Sequence, residues 1–358
     1  MNTLDSVDEM KKLDTVSVIG SIEQLGDQCK QAWGDVQSIT FPEQYKHVSS
    51  LVFSGMGGSA LGAYVMKSLF SDTLPIPFEI VNDYHVPIYV NQHTLVVLGS
   101  YSGSTEETVS SAREGIAKKA CVTGLTIGGA LGKLFSDRSI PFYKINPIHN
   151  PSNQPRLGTG YSIFGQIALL TKLGFLNVTD NDLTAVIQIL SKGNSWYGIE
   201  NPEKQNKAKQ LAKMLYQKIP IIVTAEFLSN VGRVVRNQIH ESAKNFADYH
   251  IIPELNHHLM EGLTNPDTNK QLLVFVFFCS LLYSPRISTR FRITKDVVEK
   301  QKIKTYEFIP TSLEKISQVF ECIQFGAYVN YYMAMLYGLD PSKIPWVDYF
   351  KTQVGKWK

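Results

Sequence analysis

The sequence predicts an α/β protein built from two doubly wound parallel-sheet domains, with a helix at the C-terminus. Short apolar runs of strand length alternate with segments of helix length, an order typical of parallel sheets connected by helices. The hydrophobicity within these runs is continuous, which indicates strands that are covered on both faces. The order occurs twice, and 358 residues are enough for two domains of medium size.

The first domain is predicted to span residues 49–190, behind an N-terminal helical segment of residues 1–48. Its predicted strands are Leu51–Ser54, Ile76–Val81, Leu95–Gly99, Cys121–Ile127 and Phe142–Ile145. Its predicted helices are near Ala60–Leu69, Glu106–Lys118 and Ala130–Ser136. In such a sheet the carboxyl ends of neighbouring strands open on one crevice, which is where ligands of this fold class bind.

The second domain is predicted to span residues 207–358 and to include the C-terminal helix and tail. The polar stretch Ser191–Asn206 before it is a candidate linker. The predicted elements are strands at Ile219–Thr224, Gln271–Phe278 and Lys304–Ile309, with helices at Glu226–Lys244 and about Ser312–Gly338. The two halves share this order of elements without convincing similarity in their residues, so the repeat is one of architecture.

Composition and charge exclude several classes of partner. Hydrophobic residues make up 44% and charged residues 19% of the chain, and the net charge is +3 without a long Lys/Arg block. We therefore expect a globular protein that binds neither nucleic acid nor a membrane surface. The most apolar stretch, Gln271–Tyr283, is too short to cross a bilayer. The N-terminus lacks an apolar signal segment, and the four cysteines form no C-x-x-C pair, so a cytoplasmic location is expected.

The loop behind the first strand, 54-SGMGGSALG-62, has the composition of an anion site. Gly55, Gly57 and Ala60 fit the dinucleotide pattern G-x-G-x-x-A, in which backbone N–H groups at a helix start hold a pyrophosphate. Glu79 lies about twenty residues further on, where a ribose-binding acid would stand. An NAD-type site is one interpretation of this loop, and a smaller anion is the other.

The loop behind the third strand favours the smaller anion. It reads 99-GSYSGSTEET-108, and its hydroxyl groups belong to Ser100, Ser102, Ser104 and Thr105. Hydroxyls and backbone N–H groups at a helix N-terminus suit a compact anion, although serine and threonine there can also act only as helix caps. The two loops would face one another across the crevice. Together, Gly57, Gly58 and Ser59 with Ser100, Ser102 and Thr105 suit one phosphate monoester better than a dinucleotide.

Five motifs in order resemble those of one known family. GMGGS and SYSGST are followed by QPR (Gln154–Arg156), HESAK (His240–Lys244) and PELNH (Pro253–His257). This set resembles the bifunctional phosphoglucose/phosphomannose isomerases of the sugar isomerase (SIS) domain superfamily, from about Val52 to the C-terminus. The resemblance implies two flavodoxin-like SIS domains and a hexose 6-phosphate substrate, with no cofactor.

The resemblance also implies roles for single residues. Ser59, with Ser100, Ser102 and Thr105, would hold the phosphate. Glu241 would be the base that moves a proton between C1 and C2, and Arg156 would neutralise negative charge on the sugar oxygens. His257 would open the sugar ring in the site of a partner subunit, which implies a homodimer, and Lys351 would assist ring opening. Near the C-terminus, Ser342 would help to shape the site, whereas Ile344 leaves a nearby position apolar.

The residues themselves leave alternatives open. Glu241 could be a solvated helix glutamate paired with Lys244, and Arg156 could form a surface ion pair. A zinc site could be drawn from Glu254, His257, His258 and Glu261, but no H-E-x-x-H or Cys/His pattern supports it, and no metal is expected. In place of the isomerase of glucose, mannose and fructose 6-phosphates, the chain could be a non-catalytic sugar-phosphate sensor or an isomerase of another phosphosugar.

Overall fold

The computed structural model describes residues 4–356 and contains two parallel sheets. The first sheet has the strand order β2-β1-β3-β4-β5. Its strands are β1 (Ser50–Gly55), β2 (Phe78–Val81), β3 (Thr94–Gly99), β4 (Cys121–Thr126) and β5 (Tyr143–Lys144). The residues of β3 and β4 are all buried, as the continuous apolar runs predict. The predicted strands of the first domain are therefore confirmed.

The second sheet has the strand order β7-β6-β8-β9, and all its pairs are also parallel. Its strands are β6 (Ile219–Ala225), β7 (Asp248–Ile252), β8 (Leu273–Phe278) and β9 (Lys304–Phe308). In each sheet the first strand of the chain segment lies inside and the second at an edge. The α/β class with two parallel sheets is therefore as predicted.

Helices cover both sheets and join them. In chain order they are α1 (Val7–Leu13), α2 (Val18–Glu23), α3 (Leu25–Gln37), α4 (Gly57–Leu69), α5 (Glu106–Ala117), α6 (Gly129–Asp137), α7 (Thr159–Lys172), α8 (Asp180–Tyr197), α9 (Lys207–Leu215), α10 (Val231–Gln238), α11 (Leu259–Gly262), α12 (Asn269–Leu272), α13 (Pro285–Lys300), α14 (Lys315–Leu336) and α15 (Pro345–Val354). The N-terminal helix α3 packs on α7 and α8.

The longest helix, α14, is buried over almost its whole length. It packs against α8, α9 and α10, and its apolar side chains belong to one core that also includes strands of both sheets. Because α14 is buried on all sides, it forms the interior of the molecule instead of a surface layer. No helix within residues 4–356 is long and apolar enough to cross a membrane.

The structure corrects three details of the predicted element order. The polar stretch Ser191–Asn206 is not all linker, since α8 continues to Tyr197. Within this part of α8, the Gly193 backbone packs closely on the Gln324 side chain, so that a Cβ on Gly193 would stand 1.9 Å from the Gln324 side-chain oxygen. The predicted helix Glu226–Lys244 is instead a 3-10 turn (Glu226–Leu228), α10 and a π-helical turn (Ile239–Ala243). Strand β7 was not predicted, because its half-buried polar residues break the continuous apolar pattern.

Candidate active site

Two loops meet at the carboxyl edge of the first sheet. Strands β1 and β3 are neighbours, and their last residues Gly55 and Gly99 lie side by side. Helix α4 begins two residues after Gly55, and the Ser59 hydroxyl in its first turn accepts a hydrogen bond of 2.8 Å from the backbone N–H of Tyr101. The loop behind β1 is therefore attached directly to the loop behind β3.

The hydroxyl groups of the second loop are close together. The Ser100 and Thr105 hydroxyls lie 2.8 Å apart, and the Ser100 hydroxyl accepts the Gly103 N–H at 3.1 Å. The Ser102 hydroxyl accepts the Ser104 N–H at 3.3 Å. These groups curl in front of α5, whose N-terminal end favours negative charge. The loop is thus a compact set of donors at a helix N-terminus, the environment in which proteins hold small anions.

Gly57 and Gly58 of the first loop differ in their surroundings. Gly57 has φ +50° and a Cβ there would meet nothing within 4 Å, so it leaves open space at the start of α4. A Cβ on Gly58, in contrast, would lie 3.0 Å from the backbone nitrogen of Arg156. Both glycines are predicted to lie in the phosphate site, and this stays a prediction. Gly58 also allows the Pro155–Arg156 backbone to approach α4, which brings Arg156 beside the first of the two loops.

Arg156 is 1% exposed and uses all five of its N–H groups. Its Nε donates to the Ser242 hydroxyl at 3.2 Å, and Nη1 donates to Gln154 Oε1 at 2.9 Å and to Glu241 Oε2 at 3.4 Å. Its Nη2 donates to the carbonyl oxygens of Pro341 and Ser342 at 2.8 and 3.0 Å. The guanidinium is therefore held from three separate parts of the chain, and its longest hydrogen bond is the one to Glu241.

Glu241 lies on the π-helical turn that extends α10, a feature that is frequent at functional sites. The turn directs the carboxylate towards Arg156, with 28% of the side chain exposed. Burial raises the pKa of this carboxyl, and the charges of Arg156, Lys351 and His240 oppose the rise. Glu241 is thus a partly desolvated carboxylate beside an arginine, which combines the properties of a general base with a nearby stabiliser of negative charge.

The remaining two predicted catalytic residues differ in their surroundings. Lys351 is exposed on α15 and is close enough to Glu241 to lower the pKa of its carboxyl. His257 is exposed at the end of a 3-10 turn (Glu254–His257) that follows β7. Among residues 4–356, no hydrogen bond or ion pair joins His257 to Arg156 or Glu241. One copy of the chain brings Arg156 and Glu241 into contact, whereas in the range that the structure describes the side chains of Lys351 and His257 form no hydrogen bond or ion pair with either of them.

At the equivalent edge of the second sheet, a carboxylate of the chain lies in front of a helix. Strand β6 corresponds to β1 and is followed by Glu226, whose backbone has φ +44°. The Glu226 carboxylate accepts the Ser284 N–H at 3.2 Å, in front of α13. A carboxylate of the chain therefore stands before the helix that corresponds to α5. This difference supports the assignment of the phosphate to the first sheet.

The dinucleotide and zinc interpretations receive no support from the geometry. Glu79 accepts a hydrogen bond of 2.6 Å from the Tyr89 hydroxyl and lies within β2 instead of at its carboxyl end. Within the described part of the chain, no three His, Cys, Asp or Glu side chains are grouped as metal ligands would be. A role for a metal is therefore a question for a chelator experiment.

Several contacts of the site were not predicted from the sequence. Gln154 and Ser242 belong to the QPR and HESAK motifs, so their proximity to Arg156 and Glu241 in the chain was an available signal. The Gln238 side chain donates to the Arg156 carbonyl at 3.1 Å and fixes the backbone of the QPR motif to α10. The contacts of Arg156 with the carbonyl oxygens of Pro341 and Ser342 could not be predicted, because every residue has a carbonyl oxygen.

Comparisons with known proteins agree with this geometry. Residues 204–354 match the family model described as the bacterial phospho-glucose isomerase C-terminal SIS domain. A hypothetical protein from Thermus thermophilus has the same fold, with a TM-score of 0.74 at 15% identity over 98% of this chain and 93% of that one.

Two relatives extend the similarity to nearly the whole chain. The bifunctional phosphoglucose/phosphomannose isomerase of Aquifex aeolicus is 26% identical over 90% of this chain and 94% of its own length. The enzyme of the same name from Caldicellulosiruptor bescii is 31% identical over 94% of this chain and 99% of its own length. The chain therefore belongs to the bifunctional phosphoglucose/phosphomannose isomerase family of enzymes.

Proposed function

We propose that the protein interconverts glucose 6-phosphate and mannose 6-phosphate with fructose 6-phosphate through a cis-enediol. The observation that carries the proposal is the pairing of Glu241 with Arg156, whose backbone lies against the first of the two loops at Gly58. Aldose–ketose isomerisation needs an anchor for the phosphate, a base for one proton and a cation for the enediolate oxygens. The crevice contains a candidate for each of these.

The phosphate is anchored by the two loops at the carboxyl edge of the first sheet. The Ser59 hydroxyl accepts from the Tyr101 N–H, so its own proton is available for a phosphate oxygen. The Ser100 and Thr105 hydroxyls, 2.8 Å apart, supply a second group of donors, and Ser102 adds another. The open space at Gly57 lets an oxygen approach the N-terminus of α4. Hydrogen bonds to a charged partner of this kind contribute about 1.5–3 kcal/mol each.

Glu241 transfers the proton between C1 and C2. Its ionised form accepts the proton from the carbon beside the carbonyl group and returns it to the other carbon, while the electron pair moves into the enediolate. Because burial raises the pKa of Glu241, the carboxylate is a stronger base than an exposed one. Both epimers pass through the same enediol, and rotation about C2–C3 presents the opposite face to the base.

Arg156 stabilises the enediolate by exchanging one hydrogen bond. All five N–H groups are engaged within the chain, so a sugar oxygen must replace an existing acceptor. The contact of 3.4 Å between Nη1 and Glu241 is the longest of the five and the one that a sugar oxygen would replace most easily. Its exchange releases the carboxylate for proton transfer and places the cation on the developing negative charge.

Ring opening is assigned to His257 and Lys351, with two copies of the chain forming a homodimer. The Lys351 charge acts on the Glu241 carboxyl, and this lysine is the candidate to hold a ring or C1 oxygen. His257 is exposed and, among residues 4–356, forms no hydrogen bond with Arg156 or Glu241, so it is accessible to the site of a partner subunit. A histidine suits this step because it exchanges protons near neutral pH.

The test is turnover of fructose 6-phosphate by the purified protein, with and without a chelator. We expect glucose 6-phosphate and mannose 6-phosphate as products, and the same rates after chelation. Tight binding of a hexose phosphate without any turnover would make the protein a sugar-phosphate sensor. Turnover of an amino sugar phosphate or a pentose phosphate alone would make the protein an isomerase of another phosphosugar. A rate that disappears with the chelator and returns with zinc would refute the metal-free mechanism.

A further inference from the structure

Three successive carbonyl oxygens near the C-terminus accept hydrogen bonds from two positively charged side chains. The Asp340 carbonyl accepts from Lys244 Nζ at 2.5 Å, and the carbonyls of Pro341 and Ser342 accept from Arg156 Nη2. Residues 340–342 are called the closing segment below. Carbonyl oxygens gathered in this way fix a backbone firmly, because each accepts from a charged donor. The closing segment is thus held in place by the side chains of Lys244 and Arg156.

The carboxylate of Asp340 fixes the shape of the closing segment. It accepts the Ser342 N–H at 2.8 Å and the Ser342 hydroxyl at 2.6 Å, and its second oxygen accepts the Thr15 hydroxyl at 2.7 Å. Burial would raise the pKa of Asp340, but these hydrogen bonds outweigh it and the pKa lies below its ordinary value. The ionised carboxylate therefore joins the closing segment to the N-terminal helical segment.

Lys244 connects the closing segment to the turn that carries Glu241. It directly follows the π-helical turn, with φ +51°, and its Nζ also donates to the Ser242 carbonyl at 3.1 Å. Burial and the neighbouring Arg156 charge lower the pKa of Lys244 to about 8, and Asp340 opposes this change. A single ammonium group therefore bridges the backbone beside the base and the backbone of the closing segment.

Helix α15 depends on the closing segment for its position. It begins three residues after Ser342, and none of its residues is buried. Its own packing therefore does little to hold it in place. Lys351 nevertheless acts on the Glu241 carboxyl from this helix. The preceding backbone must supply the order that α15 does not provide for itself.

We propose that Lys244 and Asp340 are positioning residues, which hold the closing segment against the π-helical turn and thereby place Lys351 and Arg156 around Glu241. The inference rests on the proposed function. Neither residue needs to touch the substrate. Among the described residues, Lys244 Nζ donates to the Ser242 and Asp340 carbonyls and forms no hydrogen bond or ion pair with the Glu241 side chain. Its influence on the base passes through the groups that it positions.

The experiment is a double-mutant cycle with Lys244→Met and Lys351→Met. The titration of the Glu241 carboxyl is followed by carbon-13 NMR of glutamate-labelled protein, with Glu241→Gln to assign the signal. The pH dependence of kcat/KM is measured in parallel. We expect each single variant to move the titration and the acidic limb to higher pH, because the Lys351 charge is removed or displaced. The double variant should move them no further than Lys351→Met alone.

Two controls separate positioning from general damage. Lys244→Arg keeps a cationic donor and should restore the wild-type titration. Lys300→Met removes an exposed lysine that is paired with Asp296 on α13, and it should change nothing at the site.

Shifts that add in the double variant, or a Lys244→Met protein whose Glu241 titrates as in the wild type, would overturn the inference. The titration requires no turnover, so an inactive wild-type protein would refute the proposed function alone.

Discussion

Replacing Glu241 with glutamine separates the effect of the buried carboxylate on catalysis from its effect on the free energy of unfolding. Glutamine has the same shape, and its carbonyl oxygen can still accept from Arg156 Nη1, 3.4 Å from the native carboxylate oxygen. It cannot accept a proton from carbon. A positioned general base contributes about 10²–10⁴-fold to the rate, which corresponds to roughly 2.7–5.4 kcal/mol of activation free energy. We therefore expect kcat for fructose 6-phosphate to fall by that factor, with a small change in KM.

The same replacement should preserve or increase the free energy of unfolding at pH 7. Burial raises the pKa of Glu241 above its unfolded value even with Arg156 nearby, so in the pH range between these two pKa values the folded state holds a proton that the unfolded state has released. The native carboxyl therefore contributes stability only below its unfolded pKa, and this contribution is lost as pH rises through the folded pKa. Glutamine never ionises, so its advantage should appear near neutrality and disappear in acid.

The assays are a coupled measurement of glucose 6-phosphate formation and urea unfolding at pH 5 and pH 8. A loss of activity below about tenfold would refute Glu241 as the base, because it lies under the range for general-base catalysis. A variant that loses activity and stability together would show that the carboxylate serves the fold. Loss of activity at unchanged or higher stability is the result that supports the assignment.

Three further substitutions test other parts of the site. Ser59→Ala should raise KM for fructose 6-phosphate by roughly 10–100-fold with a smaller effect on kcat, since it removes one donor to a charged phosphate; steady-state kinetics would check this. Arg156→Lys provides three donors in place of five and should lower the free energy of unfolding by about 2–5 kcal/mol in urea titrations, whereas Arg113→Lys on the exposed face of α5 should not. Gly103→Ala should destabilise the phosphate loop and raise KM, because φ is +71° and the new Cβ would stand 1.8 Å from the Gly128 carbonyl oxygen; equal KM values would contradict it.

The sequence predicted most of the first sheet, and the proximity of the two candidate phosphate loops, for identifiable reasons. Strands β1, β3 and β4 are fully or almost fully buried, and continuous apolar runs reveal such strands. The meeting of Ser59 with the Tyr101 backbone follows from the adjacency of β1 and β3 in a doubly wound sheet. Strand β7 escaped prediction because an edge strand with half-buried polar residues has no such run.

The surroundings of Arg156 could not be predicted from the sequence. Its Nη2 group donates to carbonyl oxygens 185 and 186 residues away, and any residue provides a carbonyl oxygen. The π-helical turn that carries Glu241 follows α10 without an interruption, so the two were predicted as one ordinary helix. Sequence reasoning thus named Arg156 and Glu241 as candidates, whereas the hydrogen bonds that orient them required the structure.

Isomerisation of fructose 6-phosphate in deuterium oxide tests the central claim most directly. If Glu241 transfers the proton through an enediol, the base exchanges with solvent during part of the turnovers. We therefore predict deuterium at C2 of both the glucose 6-phosphate and the mannose 6-phosphate formed, detected by NMR, and no such labelling with Glu241→Gln. Products that form at the normal rate with no deuterium at C2 would contradict the account, since they would indicate a hydride shift between the two carbons.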